Sequence, residues 1–156
     1  MKIYLYDTFE GMSKPTIDDR TFNNLQASVV QEANMVNIEH SSWCLAHLED
    51  VKANLKRTNF PAENLVFIKG KVEDTLPSTS PTGLISLLRL NTDWYESTKH
   101  ELLILYPKLT VRGVLFIDDY GHWQGCRKAV DEYFLEFEFP ILLNRIDYTG
   151  RVAIKN

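Results

Sequence analysis

Cysteine is scarce in this chain of 156 residues: Cys44 and Cys126 stand alone, far apart and in no metal-ligand spacing. That excludes a disulfide framework and a zinc ribbon, and it suits a reducing compartment; both read as small buried hydrophobes. Glycine is also sparse. The seven glycines contain no G-x-G-x-x-G or P-loop arrangement, so no segment supplies a complete backbone cradle for a phosphate or a nucleotide cofactor. Long apolar runs are missing too. The longest, residues 83–88 and 114–117, fall far below the roughly 20 residues of a membrane-spanning helix. The opening MKIYLYDTFEG has acids within its first ten residues and lacks a basic start, an apolar stretch and a small-residue cleavage site, so a leader peptide is not expected. There is no excess of positive charge: 17 basic against 21 acidic residues give −4, with no dense Lys/Arg cluster. Neither nucleic acid nor a membrane is an expected partner, and a cytoplasmic, soluble protein is.

What is present is ordinary globular material. Apolar residues at 44% and charged residues at 24% make disorder, collagen-like repeats and coiled coil poor fits. A chain of this length predicts one domain, residues 1–156, that buries roughly 70% of its unfolded surface.

Short β-type runs alternate with longer helical ones, the pattern of an α/β fold with a mainly parallel sheet. Strands are predicted at 2–6, 65–69, 84–90 and 114–117. Asp7, Gly70, Asn91 and the pair Asp118–Asp119 follow them directly, at the edge where open α/β sheets hold ligands. Helical spacing links Leu45, Leu48, Val51 and Leu55; then Thr98, Leu102, Leu105 and Leu109; then Ala129, Val130, Tyr133, Phe134 and Phe137. Each stripe should face the sheet. Residues 141–146 and 151–155, separated by turn residues 147–150, predict a C-terminal antiparallel hairpin. Residues 16–42 read as a partly helical cap, and 77–83, rich in Ser, Thr and Pro, as a surface loop.

Chemistry is expected at the strand ends. Adjacent carboxylates such as Asp118 and Asp119 oppose each other's ionisation unless a positive partner is near. A hard divalent cation takes oxygen ligands, and Asn91 offers an amide carbonyl from a neighbouring strand about 5 Å away. The plainer alternative is that one Asp caps the next helix while the other is solvated. Asp7 could accept hydrogen bonds from a ribose diol or simply shape a turn. His122 could serve as a base or substrate contact, whereas His40, His47 and His100 sit in bland context. Trp94, Tyr95, Tyr120 and Trp123 would make an aromatic wall for a flat or sugar-like ligand, or ordinary packing.

Several segments together resemble one family: YDTFEGM at 6–12, KGKVEDTLP at 69–77, RLNTDWYESTKHEL at 89–102, LYPKL at 105–109, GVLFIDDYGHWQGCRKAVDEYF at 113–134 and RIDYTGR at 145–151. They are similar to the macrocin-type (TylF-like) O-methyltransferases. The resemblance implies a class I methyltransferase (Rossmann-like) fold, S-adenosylmethionine as methyl donor, a Mg²⁺ ion, and a sugar hydroxyl, often on a glycosylated natural product, as acceptor. It implies that Asn91, Asp118 and Asp119 occupy the metal positions, that Asp7 lies near the cofactor ribose, and that Gly70, Val72 and Glu73 belong to the loop against the adenine.

Two departures accompany the resemblance. Asn91 stands where the family ordinarily has an Asp that serves as metal ligand and general base; an amide can coordinate Mg²⁺ but cannot accept a proton at neutral pH. Asp119 or His122 would then have to be the base. The family's glycine-rich turn and first strand also precede the segment that opens this chain, and that strand belongs between residues 2–6 and 84–90. The sheet is therefore expected to be incomplete. The two flanking strands could close ranks, a second polypeptide or protomer could fill the gap, or a truncated product could fold poorly. The alternative to an enzyme is an inactive relative that acts as a binding or scaffold module, or a split-gene remnant.

Overall fold

The structure, a computed structural model, describes residues 1–35 and 42–156. His40 and part of the expected cap lie outside the described residues. In chain order the elements are β1 (Ile3–Asp7), α1 (Ala27–Glu32), α2 (Leu48–Lys56), β2 (Leu65–Lys69), α3 (Val72–Thr79), β3 (Ile85–Leu90), α4 (Tyr95–Leu105), β4 (Leu109–Ile117), α5 (Gln124–Glu136), β5 (Asn144–Arg145) and β6 (Arg151–Ile154).

The strands form two sheets. β1 and β2 make a parallel pair, in register from Ile3 opposite Leu65 to Asp7 opposite Lys69. The second sheet runs β3-β4-β6-β5, parallel between β3 and β4 and antiparallel thereafter. Among the described residues β1 pairs only with β2 and β3 only with β4, so the strands flanking the expected gap do not close ranks.

Alternation on the four-stranded sheet places the core. Leu88 and Leu90 of β3, and Leu115 and Ile117 of β4, point to one face and are buried with Leu102 and Leu105 of α4 and Val130 and Phe134 of α5. Period-2 strands meet period-3.6 helices there. The opposite face is open at Leu87 and Ile154, both more than half exposed. β4 is longer than the run 114–117 predicts because a register shift interrupts it: Ile85 faces Leu109 but Leu87 faces Val114. The irregular stretch holds Arg112 at φ 65° and Gly113, where a Cβ would lie 2.8 Å from the Thr110 carbonyl oxygen. Such a bulge breaks the alternation by which a strand is recognised.

Four local expectations change. Pro77 lies inside α3, where a loop was expected to begin; the fully buried Leu76 holds that turn, and the Ser80 N–H still reaches the Leu76 carbonyl. α2 buries no residue fully, so its stripe is only half covered, and Leu45 precedes it. Leu109 opens β4 and Phe137 caps the end of α5, so each lies just outside the helix its stripe belongs to. Among the described cap residues only α1 is helical, and Ile17, Phe22, Leu25 and Val29 are largely exposed. The hairpin at β5 and β6 forms as expected.

Candidate active site

The carboxyl ends of β1, β2 and β3 open onto one cavity of about 170 Å³, lined among others by Asp7, Gly70, Val72, Glu73, Asn91 and Asp93. Asp7 accepts the Phe9 N–H at 2.6 Å through Oδ1, and its carbonyl accepts the Gly70 N–H at 3.0 Å, which ties together the loops after β1 and β2. Gly70 has φ 136°, a conformation costly for any side chain, and a Cβ there would lie 2.9 Å from Thr75 Cγ2. Val72 begins α3 and is buried, while Glu73 accepts a hydrogen bond from the Ser97 hydroxyl at 2.6 Å.

The loop after β3 carries Asn91, Thr92 and Asp93. Asn91 is exposed at the cavity. Asp93 has φ 66° and accepts the Trp123 indole N–H at 3.1 Å. Its carboxyl is hydrogen-bonded to that of Asp119, two residues past the end of β4. Burial raises the pKa of both groups; Asp93 and then Asp118 add negative charge around Asp119, so the Asp93–Asp119 pair retains a proton near neutrality. Asp119 Oδ2 is buried without a hydrogen-bond partner. Asp118, one residue earlier, pairs with Arg89 of β3. The two aspartates, which directly follow β4, thus have different first partners, Arg89 and Asp93.

His122 goes elsewhere. Its Nδ1 is 3.0 Å from the Tyr148 hydroxyl, and it lines a separate groove of about 340 Å³ with Phe22, Tyr120 and Arg127. Burial lowers its pKa. Asn91 and His122 thus line different hollows. Of the expected aromatic wall, Trp94 and Trp123 do meet, edge to face at 5.0 Å, joined by Trp43 at 5.7 and 5.9 Å. Tyr95 instead donates to Glu132, and the Tyr120 ring lies between the guanidinium groups of Arg127 and Arg151.

Three acids at or behind the site escape a reading by strand ends. Asp93 lies three residues past its strand and reaches Asp119 through its left-handed turn. Glu101 is buried in α4, accepts a hydrogen bond from Thr92 at 2.9 Å, and is pushed up to about 8 by burial. Asp19, from the cap, is fully buried. Its Oδ1 accepts the Tyr95 N–H at 2.8 Å at the start of α4, and Oδ2 accepts the Thr16 N–H at 2.6 Å. A Cβ on Gly125 would lie 2.2 Å from Oδ1, so the same carboxylate abuts the first turn of α5. Two helix starts meet one anion.

Among the described residues no three His, Cys, Asp or Glu side chains are gathered as ligands for a metal ion. The oxygen donors that do gather are Asp93 and Asp119, with Asn91 at the same strand ends. Their chemistry fits a hard cation: they gather oxygen ligands, two carboxyls lie against each other, and one buried oxygen has no partner.

A parallel α/β arrangement with acidic residues at its strand ends is the methyltransferase fold. The solved O-methyltransferase NovP superposes with a TM-score of 0.82 at 28% identity, over 99% of this chain and 60% of that one. The calicheamicin methyltransferase CalS11 has the same fold, with a TM-score of 0.65 at 20% identity, over 98% of this chain and 60% of that one. The family model Macrocin-O-methyltransferase (TylF) matches residues 1–155, and the chain belongs to that family. Among curated relatives, demethyldecarbamoylnovobiocin O-methyltransferase of Streptomyces niveus is 39% identical over 95% of this chain and 53% of its own length. The 8-demethyl-8-(2,3-dimethoxy-alpha-L-rhamnosyl)-tetracenomycin-C 4'-O-methyltransferase of Streptomyces olivaceus is 33% identical over 96% of this chain and 53% of its own. The chain spans about half the length of these relatives. Among the described residues no helix is long and apolar enough to cross a membrane.

Proposed function

We propose that this chain serves an O-methyltransferase that moves a methyl group from S-adenosylmethionine to a sugar hydroxyl on a glycosylated natural product, with Mg²⁺ as its resident ion. The carrying observation is the half-buried Asp93–Asp119 pair, one of whose oxygens is buried without a partner. Two carboxyls held against each other out of water cost stability unless function uses them. The family's relatives, by their names, methylate oxygen on a rhamnosyl-tetracenomycin and on a novobiocin precursor. A scaffold without activity has no use for such a pair, which speaks against that alternative.

Asn91, Asp118 and Asp119 would hold the cation, Asp118 exchanging the Arg89 guanidinium for it. A bound Mg²⁺ makes a coordinated hydroxyl more acidic. The chain's own residues do the rest. Asp93, fixed by the Trp123 indole, would take the acceptor hydroxyl's proton, and S-adenosylmethionine would supply the methyl group. Of the two bases expected from the sequence, Asp119 shares a hydrogen bond with Asp93, whereas His122 suits a substrate contact in the second groove. Asp7 would receive the ribose diol, and Gly70, Val72 and Glu73 would lie against the adenine. The cavity of about 170 Å³ is smaller than the roughly 300 Å³ at which ligand pockets begin. We infer that a further strand from outside residues 1–156 fits between β1 and β3 and completes both the sheet and the cavity.

Calorimetric titration tests this. Mn²⁺ or Mg²⁺ should bind the wild type, Asp119→Asn should abolish that binding, and Asn91→Asp should tighten it roughly tenfold by adding a charged ligand. S-adenosylmethionine should bind more tightly with the metal present. Absence of any divalent-cation binding by wild type and Asn91→Asp alike would overturn the reading.

A further inference from the structure

α4 places two polar side chains on the stripe that otherwise packs the core. Ser97 and Glu101, one helical turn apart, are both buried, beside Thr98, Leu102 and Leu105. Ser97 reaches forward to Glu73, at the α3 side of the cavity. Glu101 accepts the Thr92 hydroxyl proton at 2.9 Å. Thr92 lies between Asn91 and Asp93, and its carbonyl accepts the Trp94 N–H at 2.7 Å. Asp93 itself holds φ 66°, a conformation that a non-glycine residue keeps only when its neighbours fix it. Glu73 and Asp119 add negative charge around Glu101. A carboxyl buried against other acids is not held there by them; its hydrogen bond is to the loop.

We propose that Glu101 is the positioning residue of the loop 91–93: by holding the Thr92 hydroxyl it fixes the left-handed turn that aims Asp93 at Asp119. Asp93's part in the reaction rests on the function proposed above, but the tie from helix to loop does not. The required feature is an acceptor at position 101, not a charge. A neutral amide at that position should serve, and an apolar side chain of similar size should not.

Three variants separate these requirements. Glu101→Gln keeps an acceptor for Thr92, Glu101→Leu removes it at similar volume, and Thr92→Val removes the donor. Hydrogen exchange across residues 91–95 of the 156-residue chain, free of metal and cofactor, is the first readout. Exchange should quicken about tenfold in Glu101→Leu and in Thr92→Val and change less than twofold in Glu101→Gln, while α5 keeps its protection. The double variant Thr92→Val/Glu101→Leu should be no faster than either single one, because both delete the same bond. Where methyl transfer is measurable, kcat should fall about tenfold in the two damaging variants with KM for S-adenosylmethionine unchanged, and Glu101→Gln should restore it. Equal damage from Gln and Leu, additive effects in the double variant, or an unaltered loop in Thr92→Val would each overturn the proposal. Failure of the methyltransferase reading would silence the kinetic arm and leave the exchange arm intact.

Discussion

The two sheets hold the two sides of the cavity on very different foundations. On the β3–β4 side, Leu88, Leu90, Leu115 and Ile117 are at most 6% exposed beneath α4 and α5. On the β1–β2 side no strand residue is fully buried. The acids of the proposed metal site thus stand on a packed core, while Asp7 and the Gly70 loop stand on a two-stranded ladder of the kind that is marginal by itself. Stability and ligand capture are therefore unevenly shared. The better-packed side holds its geometry alone, and the weaker side gains most from whatever fits beside it.

The contrast can be broken most forcefully in the core. Leu115→Ala should cost about 2–5 kcal/mol in urea unfolding, whereas Leu5→Ala, at a half-buried site in β1, should cost less than about 1.5 kcal/mol. Equal losses would mean that the sheets share one core. Next in size is Asp19→Ala, which strips the starts of α4 and α5 of their buried anion and should cost roughly 3 kcal/mol in the same measurement.

A pH series sharpens the comparison further. The raised carboxyls Asp93, Asp119 and Glu101 all belong to the β3–β4 side. Folded, they keep protons that the unfolded chain gives up near pH 4, so their contribution is most favourable below that value and is lost as pH rises toward about 8. Unfolding free energy should fall over that interval by several kcal/mol, and Asp119→Asn should flatten the slope. A slope unchanged by that substitution would show that the proton is held elsewhere. The smallest effect concerns Arg89, whose side chain is half exposed against Asp118. Arg89→Gln should strengthen Mn²⁺ binding only about two- to fivefold, since an ion pair in contact with water contributes under about 1 kcal/mol.

Much of the fold was legible because strands and helices differ in period. Residues 65–69 were placed to the residue, and the terminal hairpin followed from its turn. α3 was hidden by Pro77, which composition alone assigns to a loop, and the irregular half of β4 was hidden by its bulge. The site was legible where polar residues end or directly follow a strand, as at Asp7, Asn91 and the pair Asp118–Asp119. Asp93 and Glu101 were not, for a physical reason. One arrives through a left-handed turn and the other through the buried stripe of a helix, and neither path has a period that sequence displays. Asp19 was harder still, since a lone acid among polar cap residues gives no sign that two helices converge on it 76 positions and more downstream.

That convergence has a mechanical consequence. Lifting residues 16–26 away from the body would pull a dehydrated anion out of its socket and uncap α4 and α5 in the same movement. α4 starts two residues after Asp93 and α5 directly after Trp123, the indole that steadies it. Loosening of the cap and loss of aim at the reacting carboxyl are therefore a single event rather than two.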